Sequence, residues 1–177
     1  MGWADAGYGS HASLWTGTAA SWVDLHPTGT TSSMARGVRD GQQVGRASVD
    51  AAARASLWTG SAASWVDLTP AGADGPSYTW GVYGGQQVGG TDAHASLWSG
   101  SAASWVDLHA FLPSDFTMSF ARGIWGDGVF TYVAGLGYNA TTGRQEALMW
   151  VGPVPEPASG LVLSVGLSAL TLFRRRR

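Results

Sequence analysis

Cysteine and lysine are both missing from this chain, and charged residues of any kind make up only 12% of its 177 positions. Without cysteine there is no disulfide framework, no thiolate metal site and no cysteine nucleophile. Every basic residue is therefore arginine, and four of the ten arginines stand at the extreme C-terminus, which leaves the body acidic. An acidic body without basic stripes excludes nucleic acid as the expected partner, because phosphates need clustered cations. The Gly-x-Ser-x-Gly elbow of serine hydrolases and the Asp-x-Asp-x-Asp-Gly loop of calcium sites are also missing. The glycines of "GQQVGG" are followed by no helix, so they form no dinucleotide fingerprint. No cofactor is expected, and no catalytic activity.

What is abundant is glycine, with 26 residues, and tryptophan, with 10, in a chain that is 45% hydrophobic. That profile suits a turn-rich β structure and is too apolar for a disordered chain. The length allows one ordinary domain or an array of small units.

The chain repeats itself. "HASLWTGTAASWVDLHP" from His11 returns as "RASLWTGSAASWVDLTP" from Arg54 and as "HASLWSGSAASWVDLHA" from His94, with a fainter "EALMWVG" from Glu146. The offsets, about 43 and then about 40 residues, fall in the range of propeller-like units. A second block alternates with the first: "SSMARGVRDGQQVGRAS" from Ser32, "SYTWGVYGGQQVGGTD" from Ser77 and a divergent "SFARGIWGDGVFTYVAG" from Ser119.

Each unit reads as four short strands. Met34 to Arg39 and Gln42 to Ala47 flank Asp40-Gly41, a type I′ hairpin dipeptide, and Gly84-Gly85 takes its place in the next unit. Ala12 to Trp15 and Trp22 to Leu25 form the third and fourth strands around a Gly-Thr-Ala-Ala loop. Symmetric pairing about that loop sets Ser13 opposite Asp24, His11 opposite His26, and Trp15 opposite Trp22. The same register pairs Trp58 with Trp65 and Trp98 with Trp105, each expected to add ~0.5–1 kcal/mol beyond burial. One such unit cannot bury both faces, so neighbours must stack on it. The fold class expected is all-β: tandem four-stranded repeats in a partial β-propeller-like array over residues 1–151, followed by a single C-terminal transmembrane helix.

The succession of "ASLW", "WVDL" and "ARGV..GQQVG" resembles the bacterial extracellular repeats named for a His-Ala-Phe triad. Here the triad reads His-Ala-Ser at His11 to Ser13 and at His94 to Ser96, and Arg54 departs from it. The resemblance implies the fold and an extracellular location, and no defined activity. The opening "MGWADAGYGSHASLW" aligns with "VGRASVDAAARASLW", so the chain is expected to begin inside a repeat, with further repeats and an export signal upstream. The given stretch shows no signal peptide and about three and a half units, too few for a closed propeller. An upstream coding sequence without those features would remove this expectation.

Candidate chemistry is sparse. His11 with His26, and His94 with His109, offer two imidazoles each, but two ligands do not make a metal site, and Arg54 and Thr69 replace the pair in the middle unit. No metal site is expected. Asp24, Asp67 and Asp107 recur in "WVDL", a position that suits bonding of turn amides more than catalysis. Tryptophans outside the strict pairing, Trp3, Trp80 and Trp125, are the candidates for stacking on a glycan.

The tail, "VPEPASGLVLSVGLSALTLFRRRR", carries the most specific signal. Its apolar run from Ala158 to Phe173 would span about 24 Å as a helix, slightly short of the ~30 Å hydrocarbon core, and flanking arginines can make up the difference. Arg174, Arg175, Arg176 and Arg177 would hold the tail on the cytoplasmic side with the repeats outside. Pro155-Glu156-Pro157, the apolar span and the arginine cluster, in that order, resemble the PEP-CTERM sorting signal, also catalogued as an ice-binding protein C-terminal domain. That resemblance implies export across a Gram-negative inner membrane and transient anchoring at 152–177. It further implies cleavage near Pro155-Glu156-Pro157 by an exosortase-type enzyme, and release or attachment at the cell surface, often with exopolysaccharide or biofilm matrix. The expected function is an exported surface or matrix repeat protein without catalysis. A lectin-like carbohydrate-binding propeller is the alternative, and an exported hydrolase stands third.

Overall fold

Asp40 and Gly41 both take positive φ, 50° and 77°, and Gly84 and Gly85 take 55° and 78°. This is the left-handed pair that lets a two-residue turn follow the twist of its strands, and it places both predicted hairpins. The computed structural model describes residues 1–5, 7 and 9–153. The chain is all-β, and the helical pieces among the described residues are single 310 turns.

Among the described residues fourteen strands form four antiparallel sheets. The first holds β1 (Gly2–Asp5), β2 (Ser10–Leu14) and β3 (Val23–Asp24). The second holds β4 (Ser32–Arg39), β5 (Gln42–Val49), β6 (Ala52–Trp58) and β7 (Val66–Asp67). The third repeats that plan with β8 (Ser77–Tyr83), β9 (Gln86–Thr91), β10 (His94–Trp98) and β11 (Val106–Asp107). The fourth departs from it, with three long strands: β12 (Phe116–Gly126), β13 (Phe130–Asn139) and β14 (Arg144–Pro153). Each sheet is a simple meander, and the sheets lie on one another in chain order without closing into a barrel or propeller.

Strand alternation explains why the sheets stack. Adjacent residues point to opposite faces, so in β6 Leu57 and Trp58 serve different neighbours. Leu57 joins Val44, Ala55 and Leu68 against Val82 and Trp98 of the third sheet. Trp58 reaches back to Ala12 and Leu25 of the first sheet, beside Ala35 and Ala47. At the last joint Val88, Ala95 and Leu108 meet Ala121 and Val133, with Trp150 packed against them. A strand reading "ASLW" thus buries leucine on the next sheet and tryptophan on the previous one.

The tryptophan pairing expected across each hairpin is corrected. The register itself is as predicted, Ser13 opposite Asp24 and Leu14 opposite Val23. The ladder stops there, because a 310 turn at Ala19–Ser21 fills the loop, held by the Ser21 hydroxyl accepting from Thr16 N and donating to Thr18 O. No stacked indole pair stands across these hairpins among the described residues, and Trp65 and Trp105 pack against the clusters that hold Trp58 and Trp98. Trp58 and Trp98 are fully buried between sheets, whereas Trp22 is 48% exposed and donates its Nε1 hydrogen to Ser13 Oγ at 3.0 Å.

Among the described residues no helix is long and apolar enough to cross a membrane. The expected span 158–173, the motif Pro155-Glu156-Pro157 and the arginines 174–177 lie outside the described residues.

Candidate functional site

Two side-chain constellations recur along the stack. The first is built on the "WVDL" aspartate. Asp24 Oδ1 accepts the His26 amide, Asp67 Oδ1 the Thr69 amide and Asp107 Oδ1 the His109 amide, each at 2.8 Å. The other carboxylate oxygen meets the first residue of the triad: His11 at 2.9 Å, Arg54 at 3.7 Å and His94 at 3.0 Å. Turn bonding by the recurrent aspartate, read from the sequence, is what the geometry contains. The predicted histidine pairs are also brought together, with rings stacked at 3.8 Å for His11 and His26 and at 4.1 Å for His94 and His109.

The partner that sequence reasoning missed is a serine on the following sheet. Ser33 Oγ accepts the Ala12 amide at 2.9 Å, Ser77 Oγ the Ala55 amide at 2.8 Å and Ser119 Oγ the Ala95 amide at 3.0 Å. Each serine then meets the residue after the leucine of "VDL": His26 Nδ1 at 2.9 Å, Thr69 Oγ1 at 2.7 Å and His109 Nδ1 at 2.8 Å. Ser33 still has its own hydrogen to donate, and His26 Nδ1 is the acceptor in reach. The ring hydrogen then lies on Nε2, which faces Thr30 O at 3.1 Å. With the hydrogens so assigned, the network suits a neutral His26.

The electrostatics agree. Burial, with the neighbouring His11, pulls the His26 pKa below its ordinary value, and burial with His94 does the same for His109. Burial opposes ionisation of Asp24, but the His26 amide and the His11 ring outweigh it and hold that carboxyl below the usual range. Both histidines are thus lower in the folded chain than the ordinary 6.5. As pH falls the unfolded chain takes up these protons first, so the stability contribution is complete above about 6.5 and is lost as pH descends towards the folded-state values. The Asp24 shift adds a further loss as pH falls below its ordinary 3.8. The middle joint carries Thr69 and Arg54 and has no such histidine. We predict faster exchange of the Ala12 and Ala95 amides between pH 7 and 5, with the Ala55 amide unaffected once intrinsic exchange is corrected for. An equal change at all three amides would contradict the assignment.

The second constellation lies on the first strands. Register slips between Ala35 and Gly37 in β4, Thr79 and Gly81 in β8, and Ala121 and Gly123 in β12. Each is a β-bulge, a device that re-aims one side chain. The bulged residues are Arg36, Trp80 and Arg122, at one repeat position in three successive sheets. The Arg122 guanidinium lies 4.1 Å from the Trp80 ring centroid and that of Arg36 lies 5.9 Å from it. Arg46 approaches the Tyr78 ring at 5.9 Å, and Tyr78 stacks on Trp80 at 5.7 Å.

Two of the three predicted glycan contacts meet here. Trp3 and Trp80 line one cavity of about 600 Å³ together with Met34, Arg36 and Arg46. Trp3 is 59% exposed and Trp80 half-buried. Trp125 stands apart on the fourth sheet, stacked on Tyr132 at 4.9 Å, whose hydroxyl donates to Asp127. Among the described residues no group of three or more histidine, aspartate or glutamate side chains is placed to hold a metal ion.

Comparison of the chain with protein-family models, with curated proteins and with solved structures gives no match.

Proposed function

We propose that this chain is an exported cell-surface or extracellular-matrix protein, a repeat array without catalytic activity that an exosortase-type enzyme sorts and cleaves near Pro155-Glu156-Pro157. The observation that carries the reading for the body is that its recurrent polar residues are engaged in structure: Asp24, Asp67 and Asp107 hold the turns of their own sheets, and Ser33, Ser77 and Ser119 hold sheet to sheet. In the tail it is the order of proline triplet, apolar span and arginine cluster. The arrangement of the sheets supports an open, propeller-like arc, since β4, β8 and β12 neighbour one another at successive joints. Production of the full chain in a Gram-negative host with an exosortase tests the sorting step. The expected outcome is a surface species shortened to the region of the triplet by intact mass, and membrane retention of a Pro155→Ala/Pro157→Ala variant. Full-length mass in both would count against sorting.

A second reading, glycan binding, is favoured by one observation: Trp3 and Trp80 share a cavity. Exposed indole faces stack on sugar rings, and calorimetric titration with neutral and acidic glycans distinguishes binding from its absence.

A further inference from the structure

We infer that the cavity lined by Trp3, Arg36, Arg46 and Trp80, with Arg122 beside it on the Trp80 ring, is a cleft for a carboxylated polysaccharide of the uronic-acid class. The inference rests on the glycan-binding reading and specifies its ligand. With the four tail arginines and Glu156 set aside, the chain has six arginines against eleven carboxylates. Three of those six converge on the aromatic side chains of this one surface. Arg39 and Arg54 have carboxylate partners within ion-pair distance, whereas Arg36, Arg46 and Arg122 have none among the described residues.

An acidic protein that gathers its cations without counterions has built a site for an anion from elsewhere. The mutual repulsion is felt at Arg36, where burial, and then Arg46 and Arg122, pull the pKa below the ordinary arginine value. An incoming carboxylate relieves that repulsion and accepts paired N–H donors from a planar guanidinium. The rings of Tyr78 and Trp80 hold two of the guanidinium groups from one side through cation–π contact, which limits their freedom before binding. Trp3 offers an open indole face for the C–H face of a pyranose. Nucleic acid fits less well, since its phosphates recur at every step and three arginines on an acidic body neutralise few of them.

Calorimetry on the full-length chain in non-ionic detergent tests the inference with an oligogalacturonate, its methyl ester and a single-stranded oligonucleotide of similar length. The acid is expected to bind saturably, to weaken as salt rises, and to bind at least roughly tenfold more tightly than the ester, which keeps the sugar and loses the charge. Arg36→Ala/Arg122→Ala should remove that advantage, while Trp3→Ala should weaken acid and ester together. Trp125→Ala, on the same strand as Arg122 but stacked on Tyr132 outside the cleft, should change neither. Arg36 and Arg122 keep much of their surface in solvent even though the Arg36 guanidinium is partly desolvated, so circular dichroism is expected to show the variants folded. Equal binding of acid and ester would overturn the carboxylate selection and leave glycan binding standing. Absence of binding to either sugar would overturn both. Tighter, arginine-dependent binding of the oligonucleotide would overturn the ligand class, and a loss with Trp125→Ala equal to that of the arginine pair would overturn the location.

Discussion

Trp98→Ala should cost about 3–5 kcal/mol, measured as the shift in denaturant midpoint multiplied by the m-value, because it empties a fully enclosed site. Trp98 has no accessible surface and sits among Val44, Ala55, Leu57, Leu68 and Val82 at the joint of the second and third sheets. Trp58 occupies the same place one sheet earlier, and Trp58→Ala should match it. The informative comparison is Trp15→Ala. Trp15 has the same motif and repeat position, but no described sheet covers its face, and it is only partly buried. Its loss should cost no more than ~1 kcal/mol. The indole nitrogens of Trp58 and Trp98 have no hydrogen-bond partner among the described residues. Trp98→Phe should therefore recover much of the lost stability, since it restores most of the ring volume and removes a buried, unpaired donor. In a stacked array each joint is a nearest-neighbour term. Trp98→Ala should accordingly weaken its own joint most and leave the outer joints less affected. Equal costs for Trp15→Ala and Trp98→Ala would mean that the tryptophans act within their own hairpins, and that the inter-sheet packing is not what stabilises them.

The sequence made the hairpins and their register legible because both depend on local chemistry. Asp40-Gly41 and Gly84-Gly85 declare their turns, and symmetry about the "GTAAS" loop places Ser13 opposite Asp24. Two further turns were not legible. Asp50-Ala51 and Asp92-Ala93 both have positive φ, but alanine carries no sign of it, so these corners stand unassigned between the second and third strands of each unit. The roles of the tryptophans were half legible. Alternation shows that a residue changes face, but which sheet waits on that face is a tertiary fact. The same limit hid the serine of each clamp. Asp24 and its turn amide lie two residues apart, whereas Ser33 reaches Ala12 from the next sheet.

At the candidate cleft, Trp3 and Trp80 stood out as aromatic residues outside the repeat pairing, but the arginines did not. A signal was present. In "MARGV", "YTWGV" and "FARGI" the residue before the recurrent glycine is arginine, tryptophan and arginine. Strict alternation sends such a residue to one face, and only the extra residue of a bulge turns it to a shared edge. The bulge is a property of two strands together, so neither strand reveals it alone.

Gly89→Ala should be among the most damaging single-methyl additions in this chain. A Cβ at Gly89 would fall on the carbonyl oxygen of Tyr78, directly across the ladder at the β8 bulge. Gly45 meets Met34 O and Gly135 meets Phe120 O in the same way. These are the last glycine of "QQVG" and its counterpart in the fourth sheet, and each lies beside the bulge that presents Trp80, Arg36 or Arg122. Backbone cannot swing aside as a flexible side chain does, so the strands must separate or the bulge must open. The cost should lie at or above the top of the ~1–3 kcal/mol range for overpacking. At Gly45 a second loss follows, since its N–H donates to Thr79 Oγ1 and its carbonyl accepts from the same hydroxyl, at 2.8 Å and 2.7 Å. Gly152→Ala is the control: its Cβ would meet nothing within 4 Å and its φ is not left-handed, so a change within about 0.5 kcal/mol is expected. Thermal and denaturant unfolding measure the stability term. A second readout tests the link to the cleft, because a displaced bulge moves the bulged side chain. Gly45→Ala should weaken oligogalacturonate binding through Arg36 even under conditions where the variant remains folded, while Gly152→Ala should leave it unchanged. A Gly45→Ala protein with wild-type stability would show that the strands yield at this point, and that the glycine is not what sets the bulge.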